Sequence, residues 1–252
     1  MQVLALDTTG RQGSIALVRE DARGVTVTEQ AGDASRSHAE RLPADIMALL
    51  EASAVPVSAV DGFAVASGPG SFTGLRIGLA TMQGLALVTK RPMVGVSALA
   101  ALAQFASEGR RPGDRVGAWM DGYRQEVFAA LYDVTDEPVF TPGRLVEIEP
   151  ASVGRPAATL DRWLALGPRI AAVIGDGAEL YRDHLSRVTD APQILPARSL
   201  AAAIGRLALA RMLAGDTVSA AGIQPLYVRR PDAELARDHA LAHRRPDVAT
   251  AD

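Results

Sequence analysis

The 252-residue chain is 48% hydrophobic and 22% charged, enough apolar content for one globular unit or two small lobes and too much for a disordered chain. Its 26 basic residues nearly balance 29 acidic ones, so it lacks the positive field of an independent nucleic-acid binder, and an RNA role would need a partner to supply charge. The absence of cysteine excludes disulfides, thiolate nucleophiles and cysteine zinc sites. No apolar stretch approaches the ~18 residues of a membrane span and "MQVLALDTTG" has no basic signal region, so a cytoplasmic location without membrane contact is expected.

Residues 2–7, "QVLALD", form a short apolar run that ends at Asp7, and 13–19, "GSIALVR", form another. With the period-two run "GVTVTEQ" at 24–30 they read as three successive strands closed by tight connections. In "SRSHAERLPADIMALLEAS", Ser37 and Glu40 fit a capping box, and Leu42, Ile46, Leu49 and Leu50 fall on one helical face. Pro43 would remove a backbone bond as the sixth helical residue, so the helix either kinks there or begins nearer Arg41. Residues 61–67, "DGFAVAS", give a fourth strand. The segment 75–89, "LRIGLATMQGLALVT", gives a helix with Leu75, Leu79, Met82 and Ala86 on one face and Ile77, Leu85 and Val88 away from it. Gly74 and Gly78, one turn apart, predict close approach by a neighbour. "PMVGVS" at 92–97 reads as a fifth strand and "ALAALAQFA" at 98–106 as a helix.

Around "SEGRRPGDR" the chain turns to charged loop, which marks a boundary near residue 110. "VGAWMDG" and "EVFAALYDV" then read as a hairpin, 137–157 as a proline-broken stretch without clear pattern, and "AAVIGDG" at 171–177 as a buried strand. Residues 199–214 form the last strong helix, with Ser199 as its expected cap and Gly215 just past its end. The expected organisation is an N-terminal lobe over 1–108 completed by helix 199–214, a smaller lobe over 109–198, and a mobile tail over 231–252.

The segment 67–78, "SGPGSFTGLRIG", raises the question of a phosphate cradle. It has neither the spacing nor the lysine of a Walker A loop, and Gly68, Gly70 and Gly74 give a wider last interval than a dinucleotide fingerprint. Glycines before a helix start still allow an anion pocket, or a purely structural joint built on Gly68, Gly70, Gly74 and Gly78. In "LDTTG", Asp7 would orient a metal-bound water and Thr8, Thr9 and Ser14 would contact phosphate, or Asp7 merely closes an Asx turn. "IGDGAELY", with Gly175 and Gly177, suits a nucleotide's edge or an ordinary strand-to-helix joint. No metal site is expected: His38 and Glu40 are two apart and face different sides of a helix, His184 stands alone, and His239 and His243 lie in the unpatterned tail. No G-x-S-x-G elbow or paired histidine supports a hydrolase.

Taken in order, "LALDTTG", "SHAERLPADIMALL", "VASGPGSFTGLRIGLATMQGLAL" and "PMVGVSALAALA" closely resemble the bacterial TsaB family, also called YeaZ, over about the first 107 residues. The likeness continues more thinly through "MDGYRQEVFAALYD", "IGDGAELY" and "PLYVRR". It implies an α/β, two-lobed actin-like (ASKHA, ribonuclease H-like) fold and a part in threonylcarbamoyladenosine formation at position 37 of ANN-decoding tRNAs. The family's paralogue TsaD holds its catalytic metal with an H-x-x-x-H pair whose places here are taken by Ala98 and Leu102, neither of which ligates a metal.

The resemblance therefore implies a non-catalytic scaffold that binds TsaD together with the ATPase TsaE. ATP, ADP and magnesium are then expected on those partners, tRNA is reached only through the complex, and a homodimer is expected in isolation. In the family, helices corresponding to about 38–52 and 75–89 pack against TsaD. His38, Arg41, Leu42, Ile46, Leu49, Leu75, Leu79 and Met82 are the expected contacts, leaving Asp7, Thr8, Thr9, Ser14, Gly175 and Gly177 around a vestigial nucleotide pocket. The rival readings are an actin-fold kinase or ATPase using that pocket, and a peptidase acting on TsaD.

Overall fold

The alternation in residues 2–31 folds as an antiparallel meander. The computed structural model describes residues 1–167 and 169–229. In it β1 (Gln2–Asp7) pairs antiparallel with β2 (Ser14–Asp21), and β2 with β3 (Gly24–Ala31). Helix α1 (His38–Ala52) leads to β4 (Gly62–Gly68), parallel to β1, and α2 (Phe72–Thr89) to β5 (Met93–Ser97), parallel to β4. The sheet order is β3-β2-β1-β4-β5.

After α3 (Ala98–Ala106) the same pattern repeats in β6 (Arg115–Asp121), β7 (Val127–Val134), β8 (Leu145–Gly154), α4 (Pro156–Ala165) and β9 (Ile170–Ile174). Short helices α5 (Asp176–Leu180) and α6 (Arg182–Ser186), β10 (Gln193–Leu195) and α7 (Ala201–Leu213) complete it. The second sheet, β10-β9-β6-β7-β8, has antiparallel and parallel pairings that match the first strand for strand. Two such units in tandem are the two-lobed actin-like fold.

Three apolar clusters hold this together. Both sheets turn one face toward α3 and α7, so Ala98, Leu102, Ile204 and Ala208 join Val3, Val18, Val116 and Ile174 in one core shared by the lobes. The outer face of the first sheet packs Leu4, Leu6, Phe63 and Val65 against α1 and α2. The outer face of the second packs Trp119 against Trp163 of α4, ring centroids 5.7 Å apart. Each fully buried aliphatic side chain contributes about 1.5–3 kcal/mol. The charged loop after α3 is tied down by buried Arg144, which donates to the carbonyls of Ser107 at 2.7 Å and Arg110 at 3.0 Å.

Several boundaries differ from the sequence reading. Helix α1 begins at His38 and runs through Pro43, and both Pro43 and Ala39, whose carbonyl loses its helical donor, are exposed, which leaves that carbonyl open to solvent. Helix α2 starts three residues early because Ser71 caps it, its Oγ accepting from the Gly74 amide at 3.2 Å. The unpatterned 137–157 stretch holds β8, an edge strand partly exposed on both faces that tolerates Pro150, and the start of α4 at Pro156. Ser199 does not cap α7: the amides of Ala201 and Ala202 donate instead to Ser14 Oγ at 3.0 Å and Glu29 Oε1 at 2.9 Å.

Beyond α7 the chain straps the lobes. Val218 bridges to Met93 at the edge of β5, and Gln83 of α2 donates to the Ala220 carbonyl at 2.9 Å. The Leu226 amide reaches Ser67 O at 2.7 Å, and Arg229 pairs with Glu126 of the β6–β7 hairpin. Among the described residues no helix is long and apolar enough to cross a membrane. The tail expected over 231–252, with His239 and His243, lies outside the described residues.

Candidate functional site

The β1–β2 turn, the end of β6, α5 and the start of α7 enclose a cavity of about 380 Å³ between the lobes. Asp7, at the end of β1, is buried, and its Oδ1 accepts from the Thr9 amide at 2.9 Å and Thr9 Oγ1 at 2.7 Å. This is the Asx turn, closed and facing the cavity. Burial pushes the Asp7 carboxyl above its ordinary value against those two bonds, and likewise raises Asp176, which accepts from the amides of Asp121 and Gly177. Arg11 and Arg198 line the same space.

The expected pocket set is only partly assembled. Thr8 is fully buried beneath α2 and does not line the cavity. Ser14 spends its hydroxyl on α7. Gly175 and Gly177 let α5 sit against β6, where a Cβ would come within 2.1 Å of Trp119 O and 2.9 Å of the Met120 carbonyl carbon. The sequence reading missed Arg11, Asp176 and Arg198; Asp176 stood between the two glycines it singled out. Among the described residues no group of three His, Cys, Asp or Glu side chains converges, and the cavity offers the two carboxylates of Asp7 and Asp176 beside the two arginines.

Because the folded chain binds the Asp7 proton more tightly than the unfolded chain does, Asp7 favours folding below the unfolded value of 3.8, and that contribution is lost as pH rises through the folded value. Asp7→Asn keeps an acceptor for Thr9 and removes the charge. It is expected to melt higher than wild type at pH 7, with the difference shrinking toward pH 3.8 in melts followed by circular dichroism; a lower melting temperature at pH 7 would contradict this.

The glycine loop is a joint. A Cβ on Gly74 would lie 2.1 Å from Thr8 O, and one on Gly78 2.2 Å from Thr8 Oγ1. The neighbour that approaches α2 at these glycines is therefore this chain's own β1–β2 turn. Gly70 is likewise pressed on Thr9, and Gly68 on Leu75 and Leu226.

All eight expected partner contacts are buried within the chain. Leu42, Ile46, Leu49, Leu79 and Met82 form the core under α1 and α2, and Leu75 is covered as well. His38 and Arg41 hold the β1–β2 turn: His38 Nε2 lies 2.9 Å from Gly10 O, His38 Nδ1 lies 2.9 Å from Arg41 Nη2, and Arg41 also pairs with Asp45 at 2.7 Å and donates to Gln12 O. A guanidinium only donates and a carbonyl only accepts, so the tautomer with its proton on Nε2 satisfies both contacts. The stripe at i, i+3 and i+4 is what a helix turns to its own sheet. The opposite face carries Met47 and Ala48 of α1 and Ala80, Gly84, Leu87 and Val88 of α2, with Leu87 73% and Val88 83% exposed. Apolar residues off the core stripe were the signal for this face, and Val88 already stood out.

A family profile described as TsaD, tRNA N6-adenosine threonylcarbamoyltransferase, matches residues 28–236. The tRNA threonylcarbamoyladenosine biosynthesis protein TsaB of Escherichia coli strain K12 is 31% identical over 235 residues, 91% of this chain and 95% of that protein. The structure of YeaZ from Pseudomonas aeruginosa superposes with a TM-score of 0.70 at 30% identity, covering 90% of this chain and 99% of its own. Another Pseudomonas aeruginosa structure, of an uncharacterized protein described as similar to peptidase YEAZ, gives 0.73 at 31% identity over the same shares.

Proposed function

The chain belongs to the TsaB (YeaZ) family of tRNA threonylcarbamoyladenosine biosynthesis proteins, and on that premise we propose that it is a cytoplasmic, non-catalytic scaffold that binds and activates TsaD together with TsaE. The observation that carries this reading is the outward face of α1 and α2. Val88, Leu87, Gly84, Ala80 and Met47 form an apolar surface with small residues at its centre, on two helices whose other faces are already used by the core. Small central residues let a partner helix approach closely, and the flanking large ones supply burial. In isolation the same face closes on a second copy of the chain.

The rival readings have less behind them. A kinase or ATPase would use the interlobe cavity, but Thr8 and Ser14 are withdrawn from it. A serine-type peptidase needs a nucleophile paired with its base, and the ring nitrogens of His38 meet Gly10 O and Arg41 instead of a hydroxyl. Ala98 and Leu102, at the TsaD metal positions, are buried in the shared core.

Reconstitution tests the reading. The purified chain alone is expected to transfer no threonylcarbamoyl group to tRNA and to turn over no ATP, while its addition to TsaD and TsaE raises transfer. Magnesium-dependent ATP turnover by the chain alone, or transfer by TsaD and TsaE that ignores it, would overturn the proposal.

A further inference from the structure

A second cavity, of about 390 Å³, opens beside the start of α2; it shares the Gly10–Arg11 wall with the interlobe cavity, while Asp7 and Asp176 line only the latter. Its walls come from the β1–β2 turn, the loop before α1, the first turn of α2 and, from the other lobe, Tyr123 at the tip of the β6–β7 hairpin. We infer that this cavity binds unpaired nucleotides of an RNA strand, a base stacking on Tyr123 while its phosphates meet Arg11 and Arg36.

Three observations carry the inference. Only three of the chain's eleven Phe, Trp and Tyr rings are exposed, Tyr123 at 61%, Phe72 at 43% and Tyr227 at 39%; Tyr123 lines the cavity, and Phe72 stands between two of its lining residues. Tyr123 shares the cavity wall with Ser71 and Thr73, the neighbours of Phe72, and the Phe72 and Tyr227 rings lie 5.1 Å apart. Arg76 sits 4.0 Å over Phe72 and donates to Tyr227 Oη at 3.1 Å, which orders that tilted pair as a cationic, aromatic surface one residue from the cavity wall.

The second observation is charge. The lining contains Arg11 and Arg36 and no carboxylate, in a chain that is acidic overall. Among the described residues neither arginine makes an ion pair; Arg11 donates Nε to Ala34 O and Arg36 one Nη to Glu40 O, leaving further donors open. The nearest loop carboxylates, Asp33 and Glu40, hydrogen-bond back onto Ser35 and Ser37 and feel the Arg36 charge without forming an ion pair with it.

The third is the pairing of ring and guanidinium. Exposed aromatics beside arginines with open donors are how proteins hold splayed bases and their phosphates. The choice of an RNA strand over a free nucleotide rests on the proposed place of the chain in tRNA modification.

The test uses the full chain without partners and a fluorophore-labelled RNA stem-loop with an unpaired loop, read by anisotropy across a salt series. The stem-loop is expected to bind weakly and better than the same stem as a blunt duplex. Tyr123 has a φ of +57°, a conformation asparagine tolerates, so Tyr123→Asn is expected to fold and to lose on the order of ten-fold in affinity, while Tyr123→Trp retains it. Arg11→Glu with Arg36→Glu is expected to flatten the log-affinity against log-salt slope by about 1.4. Photocrosslinking of a thiouridine-bearing stem-loop to the Tyr123 peptide gives a readout that needs no variant. Equal binding of duplex, unchanged affinity in the variants, crosslinks elsewhere, or displacement by ATP at stoichiometric concentration would overturn the inference, the last by assigning the cavity to a free nucleotide. These variants are expected to keep TsaD binding and Leu87→Glu to keep RNA binding, so failure here is distinguishable from failure of the scaffold proposal.

Discussion

Gly74→Ala is expected to lower the stability of the chain by about 2 kcal/mol or more, while Gly84→Ala, in the same helix, raises it by about 0.5–1 kcal/mol. The intrinsic gain is the same in both, because alanine restricts the unfolded backbone and suits a helix. Surroundings set the sign. A Cβ at position 84 meets nothing within 4 Å, whereas one at 74 lies 2.1 Å from the Thr8 carbonyl oxygen, which belongs to backbone locked in the turn after β1. Either α2 lifts off the sheet or the turn moves, and that turn carries Thr9, the hydrogen-bond partner of Asp7. Urea unfolding of the two variants reads the difference directly; a stabilised Gly74→Ala would mean the glycine loop is not the tight joint described.

Leu79→Glu is expected to leave no folded protein at 37 °C. Leu79 is 5% exposed among Leu4, Leu6, Ile46 and Met82. A glutamate there loses the buried aliphatic contacts, about 2–5 kcal/mol, and adds the cost of burying a charge with no partner. That is comparable with the whole stability of a domain, about 5–15 kcal/mol. Leu87→Glu, two turns further along α2, exchanges one exposed side chain for another and is expected to change stability by less than about 0.5 kcal/mol. Loss of the native circular dichroism spectrum in the first variant and its retention in the second checks both, and a folded Leu79→Glu would mean α2 does not pack on the sheet through that residue.

This contrast marks where the sequence was legible. Strands β1, β2, β4 to β7 and β9 declared themselves by apolar runs, β3 by alternation, and α1, α3 and α7 by period and composition; the three-residue β10 went unread. The edge strand β8 did not, because partial exposure on both faces erases the alternation that identifies a strand. Ser199 looked like a cap because the rule is local, yet the amides at the start of α7 are met by Ser14 and Glu29, 187 and 173 residues away in sequence. The candidate site was read less well for the same reason. Leu42, Ile46, Leu79 and Met82 are the most regular apolar stripe on α1 and α2, and regularity is the mark of a face turned to its own core. The exposed Leu87 and Val88 break that regularity. The cavity at Tyr123 had no sequence signal, since its walls come from segments 10–11, 34–38, 71–77 and 123, brought together only by the packing of two lobes.

The most direct test of the scaffold account is size-exclusion chromatography with light scattering on this chain mixed with its cognate TsaD, comparing wild type with Leu87→Glu and Val88→Glu. The account predicts a stoichiometric complex with wild type and a loss on the order of a hundred-fold in affinity for each variant, because a charge would be buried unpaired within the contact, with both variants still folded. A complex of unchanged affinity in folded Leu87→Glu and Val88→Glu, or no complex with wild type, would contradict it.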